Sequence, residues 1–167
     1  LLMKIIYKSK SPSFIRLGKC PDKDFYNKNV KLKNGHGLVV SAGKDMTIFT
    51  SGNILENVFK AVEKVKDKGF NIKLISLPIM KPINNKFVLA NFDSKKILSI
   101  EESSLIGGLS SILPSIYFKK PKKNIQFKSI ALRDIVHKSI GSQKYLRNKN
   151  MLSSEKIYKF IIKYLNE

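Results

Sequence analysis

Hydrophobic and polar positions follow two rhythms along this chain, and the switch between them is plainest from Lys44 to Pro78. Met46 to Thr50 is a short apolar, β-branched run, and Ser51-Gly52-Asn53 after it supplies turn chemistry and a candidate helix N-cap. Ile54, Leu55, Val58, Phe59, Val62 and Val65 then recur at helical spacing, while Glu56, Lys60, Glu63, Lys64 and Lys66 fall on the opposite face. Gly69 ends that helix, Phe70 to Leu77 reads as a second strand, and Pro78, which has no N–H to give a ladder, stops it. Two strands joined by a helix of this length lie parallel with a right-handed crossover. A parallel sheet needs cover on both faces, so the rest of the chain is expected to supply more of the same.

Leu1 to Tyr7 reads as the last turns of an amphipathic helix, broken by Ser11-Pro12, and Ser13 to Leu17 as a strand closed by Gly18. Lys19 to Lys33 is polar, has no sustained period and suits an interdomain linker. Asn34-Gly35-His36-Gly37 turns into a small strand, Leu38 to Val40, and its short connection to Met46 favours an antiparallel pairing of the two. Asn84 to Phe92 reads as a short helix and Lys96 to Ile100 as a third parallel strand that ends at Glu101-Glu102. In the helix Leu109 to Phe118, Pro114 marks either a kink or the true start. Ile125 to Leu132 is a fourth parallel strand, and helices over Gln143 to Asn148 and Ser153 to Leu165 close the chain. The alternation predicts a three-layer α/β/α sandwich around a mostly parallel five-stranded sheet with one antiparallel strand.

Composition narrows the class. A chain of 167 residues with 43% hydrophobic content, ten Phe and six Tyr can build one packed core. No apolar run approaches the roughly 20 residues of a membrane helix, and Leu1-Leu2-Met3 is too short for a signal peptide. Cys20 is the single cysteine, which excludes an internal disulfide and points to a reducing, cytoplasmic compartment; with two His it makes a poor structural zinc set. The net charge of +20 raises nucleic acid as a partner. The cations are mostly Lys, however, spread along a chain also rich in Asn and Ile, with Arg only at positions 16, 133 and 147. That pattern reads as compositional bias and solvated surface, and the one cluster, Lys119-Lys120-Pro121-Lys122-Lys123, falls on a helix–strand connection.

No turn carries a catalytic signature by itself. Ser51-Gly52-Asn53 at a helix start is a candidate anion site, yet it lacks the glycine spacing of a dinucleotide or P-loop site and reads first as a plain βα turn. Gly107-Gly108 is equally unspecific. Glu101 and Glu102 stand at the carboxyl end of a strand, where such sheets place ligands; paired carboxylates there suit acid–base work, and a structural or interface role is the stronger reading. His36 and His137 have no partner at a recognisable spacing.

The order of several segments carries a resemblance. Phe14 to Lys19 (FIRLGK), Gly43 to Gly52 (GKDMTIFTSG), Ile75 to Pro82 (ISLPIMKP), Glu101 to Ser111 (EESSLIGGLSS) and Gly141 to Leu152 (GSQKYLRNKNML) together resemble the C-terminal part of a transketolase, over nearly the whole chain. The resemblance implies that residues 34–167 are the transketolase C-terminal domain, residues 1–17 the end of the preceding pyrimidine-binding domain and residues 18–33 a linker. It implies transfer of a two-carbon ketol unit between sugar phosphates with thiamine diphosphate and Mg²⁺, the cofactor held by domains that this chain lacks. A homodimer of the complete enzyme is implied, with the missing N-terminal and pyrimidine-binding domains as partners and neither membrane nor nucleic acid among them; this chain alone is expected to be inactive. Arg16 falls where the family binds the sugar-phosphate group, a task that suits guanidinium, and Lys19 is an auxiliary candidate. Related deoxyxylulose-phosphate synthases carry Tyr-Pro-Arg-Gly just after that strand, where this chain has Leu17-Gly18-Lys19. The alternatives are that synthase, the β subunit of a 2-oxo acid dehydrogenase, or a free-standing basic module that binds nucleic acid or an acidic partner.

Overall fold

The computed structural model describes residues 2–18, 25–26, 30–121, 124–136 and 138–167. Five strands form one sheet: β1 (Leu38–Ser41), β2 (Met46–Ser51), β3 (Ile72–Ser76), β4 (Lys96–Ser104) and β5 (Gln126–Leu132), in the order β1-β3-β2-β4-β5. β2 lies parallel to β3 and β4, β4 lies parallel to β5, and β1 runs antiparallel to β3. α2 (Leu55–Lys66) and α6 (Ser154–Asn166) cover one face, and α3 (Asn85–Ala90) with α4 (Leu109–Lys119) the other. α1 (Leu2–Lys8) and α5 (Gln143–Lys149) complete the set. The expected mixed five-stranded sheet between helical layers is therefore what the chain builds.

Alternation explains why the central strands are apolar throughout. On β2 the fully buried Ile48 faces the α2 and α6 layer, and its neighbour Phe49, also fully buried, faces α3 and α4, where its ring meets Phe92 edge-on at 5.5 Å. Burying a side chain of this size contributes about 1.5–3 kcal/mol. No helix among the described residues is long and apolar enough to cross a membrane.

Two expectations need correction. The antiparallel partner of β1 is β3, not β2, because both neighbours of β2 are parallel strands reached by helical crossovers. The short connection from β1 to β2 instead steps over the start of β3: the N–H groups of Lys44 and Asp45 donate to the Asn71 carbonyl at 3.1 and 3.0 Å, and the Asp45 carboxylate accepts from the Asn71 N–H at 2.6 Å. Gly43 permits the crossing, since a Cβ there would stand 2.4 Å from the Asn71 backbone. Ser13 to Leu17, read as a strand, takes no regular structure, and Phe14 and Leu17 are 90% and 78% exposed. An isolated strand leaves its backbone without partners, and the two end strands of the sheet are β1 and β5. Elsewhere the differences are of extent: β4 runs on to Ser104, and α4 begins at Leu109, ahead of Pro114.

Two residues of the polar stretch ahead of β1 are tied to the core. The Phe25 ring lies 5.3 Å from that of Phe59 on α2, and the Tyr26 hydroxyl is buried against Ser76, a burial that pushes its pKa up. α6 is tied as firmly. Tyr164 donates to the Gln126 carbonyl at 2.7 Å, Lys96 Nζ donates to the Leu165 carbonyl at 2.7 Å, and Lys128 pairs with Glu167.

Burial first, and the Glu167 carboxylate second, push the Tyr164 pKa up to about 12. A tyrosine whose folded pKa exceeds its unfolded value gives stability that is complete below pH ~10 and is lost as pH rises toward the folded value. Tyr164→Phe is accordingly expected to flatten the fall in stability above pH ~10, read as urea midpoints across an alkaline series with tyrosinate absorbance followed in parallel. An unchanged slope would count against the buried hydroxyl.

Candidate functional site

The connection leaving β2 goes to β3 on one side, and the connection from β3 returns past β2 to β4 on the other. The carboxyl ends of β2 and β4 are thus a point where the winding reverses, the place where open α/β sheets form a crevice. Here the chain gathers Ser51-Gly52-Asn53 after β2, Glu101 and Glu102 on β4, the Leu105–Gly108 loop after it, and Arg147 from α5.

Glu101 is 1% exposed and accepts four hydrogen bonds. Oε2 takes the Leu109 N–H at 2.8 Å and the Ser103 hydroxyl at 2.6 Å; Oε1 takes the Ser110 N–H at 2.9 Å and the Ser110 hydroxyl at 2.8 Å. The carboxylate thereby satisfies the first amides of α4, which carry partial positive charge, with a full negative one. Gly108 is required beside it, because a Cβ at this position would fall 2.1 Å from Oε2. Gly107 turns the loop at φ +83°, in the left-handed region.

Glu102 points to Arg147 instead. Arg147 donates from Nε to Oε1 at 2.9 Å and from Nη2 to Oε2 at 2.6 Å, and Nη2 also reaches the Asn53 side-chain oxygen at 3.0 Å. The two side chains are 11% and 24% exposed, so this bidentate pair is largely shielded from solvent. α5 presents Arg147 through local chemistry of its own: Ser142 caps the helix by accepting the Tyr145 N–H at 3.2 Å.

Both carboxylates are therefore committed, one as a helix cap and the other as half of an ion pair, which favours the structural reading of the Glu101–Glu102 dyad. The Ser51-Gly52-Asn53 turn opens a single 3₁₀ turn, Gly52–Ile54, with no side-chain cap from Ser51, and its Asn53 is spent on Arg147. The His36 ring meets that of Phe87 at a tilt of 52°, centroid to centroid 5.2 Å. Arg16 is exposed on the irregular segment before residue 19 and makes no hydrogen bond or ion pair among the described residues. Lys19 and His137 lie outside the described residues. No group of three His, Cys, Asp or Glu is gathered to hold a metal among the described residues.

Arg147 is the residue at this edge to which sequence reading gave no role, and Asn53, read there only as part of a candidate anion turn, is its partner. A signal was present: in a chain that uses Lys almost everywhere, Arg stands at only three positions. Only a planar guanidinium can bond both oxygens of Glu102 and still reach Asn53, a demand that Lys does not meet.

The family model described as Transketolase, C-terminal domain matches residues 35–157. The β subunit of the pyruvate dehydrogenase E1 component of Mesostigma viride is 29% identical over 124 residues, which make up 69% of this chain and 36% of that one. A 1-deoxy-D-xylulose-5-phosphate synthase of Shouchella clausii is 31% identical over 114 residues, 66% of this chain and 18% of the synthase. Among solved structures, a split gene transketolase in an inactive β4 tetramer superposes with a TM-score of 0.88 over 99% of this chain and 54% of its own, at 22% identity, a likeness of fold. The chain thus spans well under half the length of both sequence relatives and about half of the split-gene chain.

Proposed function

The chain belongs to the family of transketolase C-terminal domains, and from that membership we propose that it is the C-terminal part of a thiamine diphosphate-dependent transketolase that moves a two-carbon ketol unit between sugar phosphates. Within that enzyme residues 34–167 form the C-terminal domain, residues 18–33 the linker and residues 1–17 the end of the pyrimidine-binding domain. The observation that carries the division of labour is the commitment of Glu101 and Glu102: the edge where a sheet of this topology offers catalytic groups is closed by a helix cap and an ion pair. Thiamine diphosphate with a divalent metal needs oxygen ligands converging on the ion. The described residues do not fit such a group, since no three of their His, Cys, Asp or Glu side chains gather to hold an ion and the two best-placed carboxylates are occupied. No bond-making or bond-breaking step is assigned to this chain; its part is to shape and hold the assembly and to contribute a contact to the substrate phosphate, with the cofactor on partner domains of a homodimeric, cytoplasmic enzyme.

Calorimetric titration of the chain with thiamine diphosphate and Mg²⁺ tests this reading. No heat of binding is expected in the micromolar range, and micromolar binding would overturn it. A second reading, the β subunit of a 2-oxo acid dehydrogenase, draws on the 29% identity with the Mesostigma viride subunit. The FIRLG segment and the GSQKYL tail favour transketolase. Assays of the complete enzyme separate the two, because ketol transfer to an aldose phosphate releases no carbon dioxide whereas 2-oxo acid oxidation does.

In the complete enzyme Arg16 is proposed to grip the substrate phosphate, with Lys19 as an auxiliary contact. Arg16→Ala is then expected to raise KM for phosphorylated donors by roughly 10- to 100-fold, the loss of ~1.5–3 kcal/mol of charge-assisted bonding, with unphosphorylated donors nearly unaffected. Equal losses for both kinds of donor would instead assign Arg16 to the domain junction.

A further inference from the structure

β5 is the last strand of the sheet, so the outer peptide groups of this edge have no strand to pair with among the described residues. A groove of about 640 Å³ opens there, bordered in succession by Ser129, Ile130 and Ala131. Neighbouring side chains of a strand point to opposite faces, so three consecutive residues border one groove only where it follows the edge of the strand. Another wall is the loop after β5, whose Ile135 and Val136 are 61% and 86% exposed. Leu105 and Met151, themselves 46% and 45% exposed, line the same groove. Large apolar side chains are thus left in water together rather than singly, the mark of an interaction surface.

The charges around the groove are of one sign. Arg133, Lys138 and Lys149 line it, and none of its lining residues is acidic; the neighbouring Asp134 is not among them. Lys149 donates to the Ser139 hydroxyl at 2.6 Å, whereas Arg133 and Lys138 enter no ion pair among the described residues. A second copy of this chain meeting the groove about a two-fold axis would bring the same cations against themselves, on a molecule whose net charge is already +20. A small anion would leave Ile135 and Val136 in water.

We propose that this groove receives an extended acidic segment of a different polypeptide, added to β5 as a further strand. Its backbone continues the ladder, its carboxylates meet Arg133 and Lys138, and its apolar side chains cover Ile135 and Val136. The inference does not depend on which reaction the complete enzyme performs.

The probe is a fluorescein-labelled peptide alternating glutamate and valine, seven residues long to match β5, titrated against the whole chain by fluorescence anisotropy. Saturable binding is expected, weakened about tenfold or more by Arg133→Glu with Lys138→Glu, and likewise by Val136→Asp. All three positions are exposed, and far-UV circular dichroism verifies that the variants remain folded. Lys119→Glu with Lys120→Glu removes the same charge elsewhere and should leave the affinity within about twofold. Bound peptide should also slow amide hydrogen exchange in β5. Equal weakening by the Lys119 and Lys120 pair, equal binding of a lysine–valine peptide, or no saturable binding overturns the proposal. So does a self-associating chain that Val136→Asp returns to monomer without any effect on the peptide, which would make the occupant a second copy.

Discussion

Glu101→Ala is expected to lower the stability of the folded chain by about 3 kcal/mol, because it removes the acceptor for one buried and one part-buried amide and two hydroxyls together. Water does not easily replace a group that is 1% exposed. Glu101→Gln keeps one acceptor but turns an amide N–H₂ toward groups that are themselves donors, and about half of the loss should remain. The neighbour supplies a sharper test. Gly108→Ala places a methyl group where the carboxylate sits, 2.1 Å from Oε2, so it should cost about 2 kcal/mol in the presence of Glu101 and much less once the side chain has been cut back to Ala. Urea midpoints for the two single variants and the double variant, at unchanged m, give the coupling. Strict additivity would mean that the capping carboxylate and the glycine are independent.

Arg147→Ala is the second large change. It leaves Glu102, 24% exposed at its side chain, without its partner and frees Asn53, so about 2 kcal/mol is expected, a value already reduced from that of a fully buried pair for residual solvent access. Arg147→Lys should recover less than half, since an ammonium offers a point charge where two parallel bonds and a third to Asn53 are required. The loss has an expected location. α5 buries no residue fully and is held to the sheet edge through this side chain, so amide exchange in Gln143–Lys149 should accelerate well before that of β2 or β4. Exchange that rises evenly over the whole domain would instead make Arg147 part of the global core.

The parts of this architecture legible in sequence are those set by local rules. The Met46–Thr50 run, the apolar face from Ile54 to Val65 and the Gly69 stop state a strand–helix–strand unit because side-chain periodicity is a property of a single element. The partner of β1 was not legible. Whether a short connection pairs with the next strand or steps over it is decided by who else claims the edges of β2, and the glycine that makes the step possible acts through Asn71, 28 positions further on. Ser13 to Leu17 shows the converse, a segment with strand composition that finds no strand to pair with. At the candidate site, the sequence placed Glu101 and Glu102 at the right end of the right strand. Their opposite fates depend on alternation along β4 combined with a local partner for one, the start of α4 eight and nine positions on, and a distant partner for the other, the middle of α5 45 positions on, which no short window of sequence brings together.

The place of α6 in the core imposes a timetable on the newborn chain. Ile157, Ile161 and Tyr164 complete the layer that α2 begins over Ile48, Leu74 and Leu98, whereas the opposite layer is finished once α4 has been made. On the ribosome, synthesis proceeds from the amino end and a domain closes only when its last packing element emerges. One side of the sheet can thus mature early while the other stays sticky until Tyr164 is out. A pause or truncation before that residue leaves the α2 side of the sheet half-clothed, with Ile48, Leu74 and Leu98 short of their cover.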